Sequence, residues 1–209
     1  MYKTISKNTQ YELTEKKSKF IANLIYIENK DDAENKIKEY KKKFHDARHN
    51  CFAYRVLLEN QIYEKSSDDG EPSGTAGSPM LNILQKSNLC NILVIVTRYF
   101  GGILLGTGGL VRAYSEALNG ALLNAEFADV NIGYEVEVKL NYTDMKQLKY
   151  YCEKNDIKIS NFEYGESVCC FLTIKEDFLD VFQADVAEKR LIVEEFKKRR
   201  KDNFLKCVN

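Results

Sequence analysis

Two stretches of the chain concentrate side chains able to do chemistry. Asp68-Asp69-Gly70-Glu71-Pro72-Ser73-Gly74-Thr75-Ala76-Gly77 places three carboxylates, two hydroxyls and three glycines within ten residues. Thr97-Arg98-Tyr99-Phe100-Gly101-Gly102-Ile103-Leu104-Leu105-Gly106-Thr107-Gly108-Gly109-Leu110-Val111-Arg112-Ala113-Tyr114 runs from a strand through a glycine-rich turn into a helix. Such a turn presents unpaired amides and the positive end of the helix dipole, which together suit an anion. Arg98 and Arg112 can add guanidinium charge. The first stretch then opposes this site or holds Mg²⁺. The candidate anion or ligand site comprises Asp68, Asp69, Glu71, Ser73 and Thr75 with Arg98, Gly101, Gly102, Gly106, Thr107, Gly108, Gly109 and Arg112. The same residues also admit a scaffolding reading, in which the glycines let the loop pass close beneath the helix while the carboxylates pair with the two arginines.

Known phosphate fingerprints do not fit. Gly101-x4-Gly106 is followed by Thr107 and Gly108, so the lysine and magnesium-holding hydroxyl of a P-loop are missing, and Gly106-Thr107-Gly108-Gly109 has the wrong third spacing for a dinucleotide loop. His45 and His49 stand four apart beside Asp46 and Cys51, but the local pattern reads as the end of a helix rather than a metal site. Ser73, Thr75 and Cys51 are the available nucleophiles, with no base except His49, so no catalytic residue is assigned. No cofactor or metal is expected. A separate basic run, Lys197-Lys198-Arg199-Arg200-Lys201, reads as a solvated face or as a contact for RNA.

Elements must position these stretches. Eight of the eleven glycines fall between Gly70 and Gly109, as do both prolines, Pro72 and Pro79. Before that cluster, Phe20–Ile27 reads as a strand, a helix opens at Asp31-Asp32 with Ala33, Ile37, Tyr40 and Phe44 on one face, and strands follow at Cys51–Leu58 and Gln61–Glu64. After it, Ser78-Pro79 starts a helix, Asn91–Thr97 forms a strand buried on both faces, and a long helix begins near Gly108 with Leu110, Tyr114, Leu118, Ala121 and Leu122 along a stripe. That helix fades around Asn124–Asp129, which sets a domain boundary at 130/131. The remainder reads strand Tyr134–Leu140, helix Asp144–Asn155, strands Lys158–Tyr164 and Ser167–Ile174, helix Asp177–Lys189, and room for a last strand. This is the split βαβ order of a ferredoxin-like domain.

Composition bounds the function. The formal net charge is zero, and residues 1–130 carry 17 basic and 16 acidic groups while residues 131–209 carry 14 and 15. Neither part can coat nucleic acid by bulk charge, so any RNA contact must use local patches. There is no apolar run long enough to span a membrane and no apolar leader stretch in the first residues, so no membrane contact is expected and the protein is expected in the cytoplasm. The six cysteines include no C-x-x-C pair and read as buried free thiols.

Asp68–Gly77, Val96–Gly102 and Leu105–Ser115, flanked by Lys17-Ser18-Lys19-Phe20-Ile21 and His49-Asn50-Cys51-Phe52-Ala53-Tyr54, closely resemble the signature of the YigZ/IMPACT family over residues 1–128. The second half resembles, with less motif evidence, the small C-terminal domain of bacterial members. The resemblance implies an α+β protein whose residues 1–130 form a sheet with helices like the second domain of ribosomal protein S-five, and whose residues 131–209 form a ferredoxin-like βαββα(β) domain. It also implies a role in regulating translation, because the eukaryotic member restrains a stress kinase acting on initiation. The expected partner is RNA, the ribosome or a translation-associated protein, reached through the glycine-rich loops. Two alternatives stand beside this: an enzyme acting on a phosphorylated small molecule with Mg²⁺ on Asp68, Asp69 or Glu71, and a regulator that binds protein only. The balance leans away from an enzyme.

Overall fold

A computed structural model of the chain describes residues 2–58, 61–131, 133–200 and 205–207. The chain divides into two compact units, one reaching to Val130 and taking back the segment from Lys206 on, the other running Asn131–Leu205.

The first unit contains, in order, β1 (Lys3–Ile5), β2 (Thr9–Glu15), β3 (Ser18–Tyr26), α1 (Lys30–Lys43), β4 (His49–Leu58), β5 (Gln61–Ser67), α2 (Gly77–Lys86), β6 (Ile92–Tyr99), α3 (Gly106–Leu123) and β7 (Phe127–Asn131). Its main sheet has the order β2-β3-β6-β4-β5, antiparallel throughout. Because β6 is central, its residues alternate between two apolar layers. Ile92, Val94 and Val96 pack with α2 and α3, while Leu93 and Ile95 pack with Ala33 and Ile37 of α1. The unbroken apolar run Ile92–Val96 within β6 is what burial on both faces requires.

Helix α1 begins where Asn29 accepts a hydrogen bond from the Asp32 amide, and Asp32 accepts in return from the Glu28 amide. Its first turn carries Asp31 and Asp32 and its last turn Lys41, Lys42 and Lys43, so both ends suit the helix dipole. The β2–β3 hairpin turns on Lys16 and Lys17, both with positive φ, as a two-residue hairpin loop demands. Three strands of this unit fall outside the sequence expectation. β1 and β2 precede the first strand expected, and β7 occupies the stretch where α3 was expected simply to fade. β7 pairs with β1 through Lys3↔Asp129, Thr4↔Ala128 and Ile5↔Phe127.

The second unit contains β8 (Gly133–Leu140), α4 (Met145–Lys154), β9 (Lys158–Tyr164), β10 (Val168–Lys175), α5 (Leu179–Ala187) and β11 (Glu195–Arg200). Strand order β11-β8-β10-β9 completes the ferredoxin-like βαββαβ pattern. Val136, Val138, Leu140, Cys170 and Leu172 meet Leu148, Cys152 and Phe182 in its core. A last strand, β12 (Leu205–Cys207), joins the three-stranded sheet β1-β7-β12. Lys206 and Cys207 group with the first unit. No helix among the described residues is long and apolar enough to cross a membrane.

Candidate functional site

The two chemistry-bearing stretches meet in the first unit. Residues 68–77 link β5 to α2, and residues 100–105 link β6 to α3. The first link is folded by Asp68, whose carboxylate accepts the amides of Gly74, Ala76 and Gly77 at 2.8–2.9 Å. Burial alone would raise its pKa, but those amides outweigh burial and hold it below the ordinary carboxylate value. Asp68 therefore caps the start of α2, which otherwise has no side-chain cap. Asp69 accepts the Asn50 amide and Lys41 Nζ. Thr75 donates to the Pro72 carbonyl, closing the turn. Gly77 is required because a Cβ there would press on the Ser67 backbone at 2.8–3.0 Å.

Glu71 lies beneath this loop with its side chain 3% exposed. Its Oε1 accepts from Arg98 Nη1 at 2.7 Å and from the Tyr114 hydroxyl at 2.9 Å, with His49 Nε2 at 3.8 Å. Burial, aided by Cys51 and Glu71, pushes the Tyr114 phenol far up, so it remains a donor. Cys51 Sγ is 3.3 Å from that hydroxyl, and burial pushes its thiol up to about 12. A thiol so held is a small core group, not a nucleophile. His49 Nδ1 contacts the Asp69 carbonyl, which fixes the ring.

Arg98 is 6% exposed, bound to Glu71 and near Ser18, and lies over the rings of Phe20 and Phe100. Asp68, Asp69 and Glu71 do not converge into a Mg²⁺ site, because each is bound by a different set of donors. His45 contacts the Lys42 carbonyl, away from His49, in keeping with a helix end. Ser73 is exposed and Thr75 is held in its turn. Arg98 is paired with Glu71, whereas Arg112 is exposed in the early turns of α3 and has no ion pair among the described residues. Gly101 is dictated by close approach, since a Cβ there would collide with the Lys17 carbonyl of the β2–β3 turn. Gly102 and Gly106 adopt positive φ. Gly108 and Gly109 lie within α3, and the helix has no side-chain cap at its start, leaving the Thr107 end open.

Above the Glu71–Arg98 pair, in which Arg98 Nε has no hydrogen-bond partner among the described residues, lies a groove of about 400 Å³, walled by Arg48, Pro72, Phe100, Leu104, Leu105 and Thr107 over His49, Glu71 and Arg98. Phe100 is 40%, Ile103 42% and Leu104 83% exposed. These apolar residues, and Arg48, went unread as site residues. Their signal was an apolar run, Ile103-Leu104-Leu105, set between glycines in a loop.

The basic run lies in the second unit. Lys197, Lys198, Arg199 and Arg200 form most of β11, while Lys201 lies outside the described residues. Lys197 stands opposite Glu137 and Arg199 opposite Glu135. Arg199 is bonded to Glu137, Lys197 to Glu195, and Lys198 lies over the Tyr134 ring. Two of the five charges, those of Lys197 and Arg199, are paired locally.

A family profile described as the Impact N-terminal domain matches residues 16–122. A second, described as a domain of unknown function, DUF1949, matches residues 138–189. The IMPACT family member YvyE of Bacillus subtilis is 36% identical over 167 residues, covering 80% of this chain and 76% of the relative. A protein IMPACT homolog of Dictyostelium discoideum is 44% identical over 102 residues, 47% of this chain and 29% of the relative. A crystal structure of a hypothetical protein is similar over 96% of this chain and 97% of its own, with TM-score 0.66 and 30% identity.

Proposed function

The chain belongs to the IMPACT family, and from that premise we propose that it is a cytoplasmic binding protein of translation regulation, with the groove between its two glycine-rich links as the contact surface. The observation that carries this reading is the contrast between a floor with its charges paired internally and a rim that leaves Phe100, Ile103 and Leu104 in water. Exposed apolar side chains beside a preformed concavity characterise recognition surfaces. Chemistry asks for the reverse, a reactive group presented to the cavity. Here, among the described residues, the Cys51 thiol is buried, the buried carboxylate of Glu71 is paired with Arg98, and no group of three acidic, His or Cys side chains gathers as for a metal.

The partner is the ribosome or a protein that works with it. The test is sedimentation of the tagged protein with ribosomes from lysate at low and moderate salt, with and without nuclease. Co-migration that Leu104→Ser weakens and that survives for Lys197→Ala/Arg199→Ala supports the groove. Absence of co-migration under every condition removes the translation reading.

A further inference from the structure

The rim of the groove carries a second property, which its apolar residues alone do not reveal. Lys16 and Lys17 form the β2–β3 turn, and the backbone of Lys17 lies directly against Gly101. Arg48 stacks over Phe100 with 5.9 Å between guanidinium carbon and ring centre. Arg112 rises from α3 beside Gly108. All four cations are exposed, and none has an ion pair among the described residues. Several acids of the same region are engaged: Asp68 by three amides, Asp69 by Lys41, Glu71 by Arg98, and Asp46 by the Tyr99 hydroxyl. Arg48 on the groove wall and Lys16, Lys17 and Arg112 on the neighbouring elements thus outnumber the exposed acids Glu15 and Glu116 beside them, although the chain as a whole is neutral.

We infer that this surface takes an acidic segment of a partner protein, one in which carboxylates flank an aliphatic or aromatic side chain. The inference rests on the binding reading above and names the chemistry of the partner. Charge complementarity supplies the acidic requirement, because free cations at a rim steer and select anionic partners. The apolar wall supplies the rest. Leu104, Leu105 and Pro72 of its lining offer no hydrogen bonds to base edges, and Phe100 is the one exposed aromatic ring among the described lining residues, whereas single-stranded RNA is held by successive aromatic platforms. A leucine-lined groove fits a protein side chain, with the flanking carboxylates reaching Arg48, Lys17 and the open start of α3.

The experiment is selection of a displayed random twelve-residue peptide library on the full-length chain, followed by fluorescence anisotropy of the enriched peptides at two salt concentrations. Enriched sequences should pair Asp or Glu with Leu, Ile or Phe, and their affinity should fall about tenfold with either Arg48→Glu or Leu104→Ser. Circular dichroism of both variants should match the parent, since neither side chain belongs to the core. Enrichment without acidic residues, affinity indifferent to both variants, or failure of any peptide to enrich would overturn the proposal. So would tighter binding of a twelve-nucleotide uridine RNA or of anionic phospholipid vesicles to the same residues. Ribosome sedimentation is read separately, so a peptide failure with intact co-migration removes only the acidic-segment inference.

Discussion

Glu71 takes a guanidinium and a phenol at a single oxygen while its side chain is almost wholly enclosed. Removing either member of such a buried pair leaves a charge with neither solvent nor counter-ion. Arg98→Ala should therefore destabilise the first unit by about 3–5 kcal/mol, measured as a shift in urea midpoint with unchanged slope. A loss under about 1 kcal/mol would mean the pair is more solvated than its geometry indicates. Asp68 gives a pH prediction. Its folded pKa is depressed, so its stabilising contribution is present above the unfolded value of about 4 and is lost as pH falls through the folded value. Asp68→Asn should lose stability at pH 6.5, by about 1 kcal/mol for the amide its NH2 group cannot accept, and the gap to the parent should narrow at pH 3. Equal gaps at both pH values would assign the effect to shape alone. The roles of these two residues were only half legible. Their types and proximity in sequence announced a formed loop, but whether Arg98 points outward or into the sheet depends on β3 and α3, which lie far away in sequence.

At the scale of elements, close approach rather than helix propensity governs the glycine-rich link. Gly101→Ala must push its Cβ into the Lys17 carbonyl, where backbone cannot yield cheaply, and should cost well over about 2 kcal/mol. Gly108→Ala meets only the end of the Arg112 side chain at 3.9 Å within a helix, and should be neutral or stabilising by up to about 1 kcal/mol. Paired thermal melts decide this, and equal losses would contradict it. The helices and central strands were readable because burial on one or two faces leaves a period. β2 was missed because its burial is partial and its turn is Lys16-Lys17, which carries no glycine, asparagine or aspartate to mark it. That omission concealed the site as well, since the turn supplies both two rim cations and the backbone against which Gly101 packs.

At the scale of the molecule, neutrality is an average over two different surfaces. The basic run that dominates the sequence is matched across its sheet by Glu135 and Glu137, whereas the scattered cations Lys16, Lys17, Arg48 and Arg112 are brought together by the fold. Spacing along the chain exposes the first and conceals the second. Lys197→Ala/Arg199→Ala should accordingly change partner binding by less than about twofold, while charge reversal at Arg48 should weaken it about tenfold and make the remainder less sensitive to salt. On this reading the groove rim touches a component of the translation apparatus. A photo-crosslinking amino acid placed at Leu104, with one at Tyr150 of the second unit as control, tests this in growing cells. A discrete adduct is expected at position 104, identified by mass spectrometry as a ribosomal or ribosome-associated protein through an acidic segment, and none of it at position 150. Adducts absent at 104, or shared equally by both positions, would contradict it.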